Sequence, residues 1–380
     1  MRRPTLDEAL RPVDTAGVAR IMRERFPLLE EFGGTGKPVN RVEPRVSVQV
    51  TTYQHAPYIG RCLDGILMQQ TSFPIEILVG DDESTDGTRE ICLRYAERHP
   101  DRIRLFLCRR ELSHVPWHGN DIMLNGYWLF CASRGKYLAI CEGDDYWTDP
   151  LKLEKQVDAL ERRPEVGLVH SDADYFFVAT GQRIANYGAS RGHRYSTSGE
   201  WVHDRFMASE YPIISCTVLF TRRLLDAIDY GEWLFFQSAD TYLWMEFSRH
   251  AQFLYLPGST AVRQLLRESV SQSADPRRIL AFRLSGYALF RHFLQKYRHP
   301  DDAVRRIETA CLKGIWHLAL RAGRVDMAHD AYRRLRRVAG PSAFSPRERA
   351  IHAFSHIPLA GRAPGVARTL RNGLVRRDVR

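Results

Sequence analysis

Residues 137–150 read Tyr137-Leu138-Ala139-Ile140-Cys141-Glu142-Gly143-Asp144-Asp145-Tyr146-Trp147-Thr148-Asp149-Pro150. The first five residues form an uninterrupted apolar run, the pattern of a strand covered on both faces. The run passes directly into three carboxylates around one glycine. In an extended chain residues i and i+2 share a face, so Glu142 and Asp144 can converge on one point. Gly143 leaves room for a ligand to approach the backbone between them. Two hard oxygen donors at a strand end suit Mg²⁺ or Mn²⁺ carrying a phosphorylated substrate. An acidic turn that merely ends a strand would read the same way, so the rest of the chain has to decide.

Working outward, strands and helices alternate from Arg45 onward. Strands are expected at 46–50, 75–79, 103–107, 137–141, 166–170 and 213–220. Helices are expected at 58–69, at 88–99 (stopped by His99-Pro100), 120–132, 151–162, 222–228 and 241–248. This alternation argues for an α/β fold with a mostly parallel sheet covered on both faces. Ligands of such sheets bind beyond the carboxyl ends of the strands. Here those ends carry Thr52 and Tyr53, Asp81 and Asp82, and Glu142 and Asp144, three polar clusters at equivalent positions. Asp86 reads as a cap for the helix beginning near Thr88. Residues 174–212, rich in Gly, Ser, Tyr and Arg, read as a substrate-facing loop zone. The Gly33–Pro38 stretch lacks both the spacing and the preceding strand of a phosphate loop.

The 380 residues, 44% hydrophobic and 26% charged, describe a globular chain with room for two or three domains. No stretch of about twenty apolar residues occurs, and the N-terminus lacks the apolar core of a secretory signal. The seven cysteines are scattered without a C-x-x-C pair, which suggests reduced thiols and a cytoplasmic setting. The net charge of +10 is uneven: from Asp275 onward there are 23 Lys/Arg against 8 Asp/Glu, while the first 274 residues carry 32 against 37. A basic C-terminal region can meet anionic lipid, and basicity alone gives no ground to expect a nucleic-acid partner. It can equally be the solvated face of arginine-rich helices.

Together these stretches resemble the family 2 glycosyltransferases of GT-A architecture, over about residues 45–272. The resemblance is carried by Val46–Tyr58, by Gly80–Thr88, by Glu142–Trp147, and by Ile213–Arg223 with Ser238–Trp244. It implies a GT-A Rossmann-like sheet over 44–272, with a nucleotide-binding half (44–150) and an acceptor half (151–272). A helical extension at 1–43 and a basic helical region at 273–380 would flank it. It further implies an inverting enzyme that moves a sugar from a nucleotide-diphosphate donor, UDP-sugars favoured, to a carbohydrate or lipid-linked acceptor. Thr52, Tyr53, Asp81, Asp82 and Glu142 would hold the nucleotide, and Asp144 the Mg²⁺ or Mn²⁺. Asp145 would orient the donor sugar and Asp240 would be the general base. Relatives often carry a histidine in the segment matching Val262–Ser269. None is present here, and Arg263 and Arg267 would take the diphosphate charge instead. A nucleotidyltransferase would want a glycine-rich phosphate loop after the first strand, which Thr51–His55 does not supply. A non-catalytic carbohydrate-binding or scaffold protein of the same fold is the alternative. Peripheral contact with the inner face of a membrane through the basic region is the expectation for its location.

Overall fold

The computed structural model describes residues 6–10, 14–117, 120–208, 210–266 and 275–355. Its centre is one sheet. The principal strands are β1 (Val46–Thr52), β2 (Ile75–Asp82), β3 (Ile103–Cys108), β4 (Tyr137–Ile140), β5 (Tyr146–Trp147), β6 (Val166–Phe177), β7 (Leu219–Thr221) and β8 (Gln252–Leu265). They lie in the order β3-β2-β1-β4-β7-β6-β8-β5. The first four run parallel, as the helical crossovers between them require. β7 is antiparallel to both neighbours, and β8 returns parallel to β6. The expected α/β layering is therefore present, with antiparallel strands added in the acceptor half.

Alternation along the strands explains why the apolar runs are continuous. Tyr137, Ala139 and Cys141 join one core with Val46, Val48, Val50 and the helix Ile59–Leu67. Leu138 faces the opposite core with Trp128, Phe220, Phe247 and Phe293. A sheet buried on both faces has no polar side to show in its sequence. Two inward polar residues of β1 are paired: Ser47 donates to Glu76 at 2.6 Å and the Gln49 amide to the Gly126 carbonyl at 2.7 Å.

Several expected elements differ. Residues 120–132 are not one helix: Asn120–Met123 pairs with His114–Trp117 as a small hairpin, and the helix is Asn125–Ala132. Asp121-Ile122-Met123 fits either periodicity, and pairing with a neighbour decided between them. The strand expected at 213–220 is only Leu219–Thr221, because Ser215–Thr217 forms a tight turn in which Thr217 Oγ1 donates to the Ile214 carbonyl at 2.7 Å. Arg222–Ala227 is likewise a 3₁₀ turn. The zone 174–212 is more ordered than its composition suggested: β6 runs to Phe177, and helix Gly199–Met207 follows. The N-terminal segment contributes more than a helical extension. Glu30–Glu31 pairs with β3 at the sheet edge, and Val18 and Met22 of the helix Thr15–Arg25 enter the main core. Helices Pro276–Lys296, Asp301–Arg321 and Val325–Ala339 form the C-terminal layer around Trp316 and Leu312, and Leu6 is buried among them.

Candidate active site

The register brings the expected site residues to one edge of the sheet. Thr52 lies opposite Asp81. Beyond β4 the chain keeps following β1, with Cys141 N–H bonded to the Gln49 carbonyl and Gly143 N–H to the Thr51 carbonyl, both at 2.9 Å. This lays residues 142–144 beside the end of β1. The approach is close enough to require glycine: a Cβ on Gly143 would stand 2.7 Å from Thr52 Oγ1 and 3.0 Å from His55 Nδ1. Both of those polar atoms are buried without a hydrogen-bond partner.

The acidic stretch is under electrostatic load. Glu142 is partly exposed, but its Oε2 is buried and unpartnered. Burial, then the neighbouring charges of Asp144 and Asp240, push its carboxyl up to about 7. Burial, then the charges of Asp144 and Glu142, also raise Asp145 well above the usual carboxylate range. Asp145 Oδ1 accepts the Gln264 backbone N–H at 2.8 Å, and the Gln264 side chain donates to the Asp144 carbonyl. Arg263 lies close enough to favour ionisation of both acids, while its Nη1 donates to Tyr175 Oη at 3.1 Å. β8 thus supplies a cation that acts on both Glu142 and Asp145. Arg267 lies outside the described residues.

Asp240 sits exposed in the first turn of the helix Ala239–Phe247, where a carboxylate is favoured by the helix dipole. The N-cap position itself belongs to Ser238. Asp240 Oδ2 accepts from Ser215 Oγ at 3.0 Å and Oδ1 from Thr241 N–H at 2.7 Å. Its contribution to the Glu142 shift places it in the same electrostatic cluster across the cleft.

On the other side of Thr52, Tyr53 is 41% exposed, and the Arg110 guanidinium lies over its ring at 4.1 Å. Asp82 is saturated by this wall, accepting from Ser113 Oγ at 2.6 Å and pairing with Arg110 and His114 at 2.7 Å each. Burial opposes its ionisation, but these hydrogen bonds and charges outweigh it and hold Asp82 below the ordinary carboxylate range. Asp81 is fully buried: one oxygen takes Arg89 and the Ser84 N–H, while Oδ1 has no partner. Of the two aspartates, Asp81 keeps an open acceptor atom. Asp86 caps as expected, accepting Thr88 N–H at 3.0 Å, and it also accepts Ala56 N–H at 3.0 Å.

Four contributors went unrecognised in the sequence: His55, Arg110, Ser215 and Gln264. His55 follows β1 by three residues and stands within electrostatic reach of Asp144; burial lowers its pKa against that pull. Its position just after a strand end was the available signal. Ser215 and Gln264 gave none, since each acts through a neighbour distant in sequence.

Among the described residues no three His, Cys, Asp or Glu side chains are arranged as a ready-made metal cluster. The donor set still suits a hard divalent cation, because Glu142 Oε2 is orphaned beside Asp144. Mg²⁺ commonly uses one or two carboxylates and completes its shell with water and substrate phosphates.

Comparison with known proteins gives this geometry a context. Residues 47–114 match the model of Glycosyl transferase family 2. An uncharacterized protein of Mycobacterium tuberculosis is 44% identical over 122 residues, 32% of each chain. The putative glycosyltransferase EpsE of Bacillus subtilis is 30% identical over 157 residues, covering 40% of this chain and 48% of that one. The chain therefore spans about a third to a half of the length of these curated relatives. The crystal structure of S. aureus TarS superposes with a TM-score of 0.50 at 15% identity, covering 79% of this chain and 50% of that one. At that identity the likeness speaks for the glycosyltransferase fold alone. The family 2 match ends at His114, so Glu142, Asp144, Asp145 and Asp240 rest on geometry rather than on that match.

Proposed function

We propose that the protein is an inverting, metal-dependent glycosyltransferase that moves a sugar from a nucleotide-diphosphate donor, a UDP-sugar in the first instance, to an acceptor hydroxyl in cell-surface polysaccharide or glycolipid synthesis. One observation carries this reading: Glu142, Asp144 and Asp145 gather at the strand ends with Asp240 facing them from a separate helix. A cluster of repelling acids with an orphaned oxygen is a poor structural device and a good cation site.

In this reading Thr52, Tyr53, Asp81 and Asp82 hold the nucleoside, with Asp82 acting through Arg110 and the Tyr53 ring. Asp144, with Glu142, would hold Mg²⁺ or Mn²⁺. The ion would offset negative charge on the departing diphosphate. Arg263 shares that task, and Asp145 orients the donor sugar. Asp240 accepts the acceptor's hydroxyl proton as the new bond to the anomeric carbon forms and the bond to the diphosphate breaks. Ser215 fixes Asp240 Oδ2 for that step.

Two substitutions test the assignment. Asp144→Ala is expected to abolish Mn²⁺-dependent UDP binding in calorimetry. Asp240→Asn is expected to keep UDP binding and lower turnover at least about 10²-fold. UDP affinity that ignores both Mn²⁺ and Asp144→Ala would sink the proposal. Nucleotide binding without turnover across a broad acceptor panel would favour a non-catalytic carbohydrate-binding or scaffold role. Among the described residues no helix is long and apolar enough to cross a membrane. Cytoplasmic placement, with peripheral membrane contact through the basic C-terminal region, is part of the proposal.

A further inference from the structure

A cavity of about 880 Å³ lies between the C-terminal helices and the acceptor half, outside the site described above. Its existence follows from small residues where two helices would otherwise close. Gly286 on Pro276–Lys296 and Ala310 and Gly314 on Asp301–Arg321 all line it. Cβ atoms built on the two glycines would meet nothing within 4 Å. The wall is apolar at Phe282, Phe290, Ile315, Leu318 and Ile351, while His317 and Glu348 also line it, the Glu348 carboxylate held by Lys313 and His317. Arg283, Arg321 and Arg347 also line it and are exposed. Arg283 and Arg321 make no hydrogen bond or ion pair among the described residues. A largely apolar trough edged by the guanidinium groups of Arg283 and Arg321 suits a ligand with an apolar chain and an anionic head.

The cavity also adjoins the proposed base. Tyr211 and Ser238 line it, and Ser238 stands at the N-cap position of the helix that carries Asp240. Burial raises the Tyr211 phenol, with Arg283 and Cys311 acting on it from the groove and Asp240 from the cleft. The geometry points to a binding site in this groove for the aglycone of the acceptor: an apolar chain bearing a phosphate, its head toward Arg283. The link to the acceptor rests on the glycosyltransferase reading; the groove's preference for an anionic amphiphile does not. The chain's own C-terminal segment is a poor occupant on charge, since residues 356–380 hold six arginines against one aspartate.

The test is calorimetry on the full chain with dodecyl phosphate below its micelle concentration. Inorganic phosphate and dodecyl maltoside separate head from chain, and phosphatidylglycerol vesicles separate a soluble lipid phosphate from a membrane surface. Saturable one-to-one binding of dodecyl phosphate is expected, at least about tenfold tighter than either partial probe. Gly314→Leu, whose Cβ would meet nothing within 4 Å and whose side chain would project from the groove wall, is expected to abolish it. Arg283→Gln is expected to weaken it about tenfold. UDP affinity with Mn²⁺, measured on the same variants, is expected to stay unchanged and reports both folding and the nucleotide site. Dodecyl phosphate binding that survives Gly314→Leu would overturn the proposal. So would an interaction confined to vesicles, or equal binding of inorganic phosphate. Loss of UDP binding in the wild type would instead fail the glycosyltransferase reading and leave the groove to be judged by the amphiphile alone.

Discussion

Glu142 shows how far one residue's meaning depends on residues remote in sequence. As part of an acidic turn it was legible from the start, because an apolar strand running into carboxylates is a local pattern. Its raised pKa was not legible, because burial, Asp144 and Asp240 come together only in the fold. The sign of the consequence is definite. The unfolded chain releases this proton near the ordinary value of 4.5 and the folded chain near 7. Stability contributed by this group therefore falls as pH rises across that window and is lost above it. Glu142→Gln removes the term, so the variant is expected to be more stable than the wild type at pH 8, by on the order of 2 kcal/mol, and similar to it near pH 4. Thermal melting at both pH values measures this. Mn²⁺ with UDP is expected to raise the wild-type midpoint at pH 8 and to leave the variant's nearly unmoved. An unchanged or lower midpoint for metal-free Glu142→Gln at pH 8 would mean that Glu142 carries no such load. His55 makes the complementary point. Its place just after a strand end was the available signal, but only the Gly143 approach reveals its buried, unpartnered nitrogen beside Thr52.

At the scale of elements, the regular helices and strands were legible on both sides of residue 150, including Lys152–Arg162, Val166–Phe177 and Ala239–Phe247, and the short elements were not, for a physical reason. β1, β2, β3 and β4 are parallel strands, and the helices Ile59–Leu67 and Thr88–Arg98 that join the first three are amphipathic, so these elements carry their own periodic signature. Leu219–Thr221 is three residues long and gains its place from two antiparallel neighbours, which no local pattern encodes. Even in the parallel half, one stabilising device was invisible. Glu76 of β2 is fully buried, accepts from Ser47 Oγ at 2.6 Å and Arg134 N–H at 2.7 Å, and pairs with Arg134 at 2.7 Å and Arg104 at 3.3 Å. Arg104 in turn pairs with Glu31 at 2.8 Å, tying the N-terminal edge pair to the sheet. Truncating one member of such a network leaves buried charge without its partner. Glu76→Ala is expected to cost about 3–5 kcal/mol. Guanidinium unfolding should show the midpoint fall, while UDP affinity of the folded fraction stays as in the wild type. A change below about 1 kcal/mol would show that Arg104 and Arg134 find other partners.

Across the whole molecule, the charge asymmetry read from the sequence becomes a contact between parts. The basic helix Pro276–Lys296 is held to the acceptor half by Glu232, which pairs with Lys296 at 2.7 Å and His292 at 3.1 Å and accepts from Tyr242 Oη at 2.8 Å. Lys296 also reaches Glu246, on the helix that carries Asp240, at 3.1 Å. Arginine-rich composition fitted either a solvated face or contact with anionic lipid; the apolar faces of these helices and this ion cluster seat them beside the helix Ala239–Phe247. Burial opposes ionisation of Glu232, but the His292, Lys296 and Tyr242 hydrogen bonds outweigh it and draw its carboxyl down to about 2. A carboxylate depressed in the folded state stabilises fully above its unfolded value of 4.5, and that contribution disappears as pH falls toward 2. Glu232→Gln is therefore expected to cost about 2–3 kcal/mol at neutral pH and little near pH 2, flattening the acid limb of the stability profile. Because Glu232 joins two parts of the molecule, the loss should be local before it is global. Hydrogen exchange is expected to quicken in 276–296 and in 239–247 while β1 and β2 keep their protection. Uniform acceleration over the whole chain would show instead that the C-terminal layer and the catalytic sheet unfold as one unit, with the Glu232 cluster only one of many contacts between them.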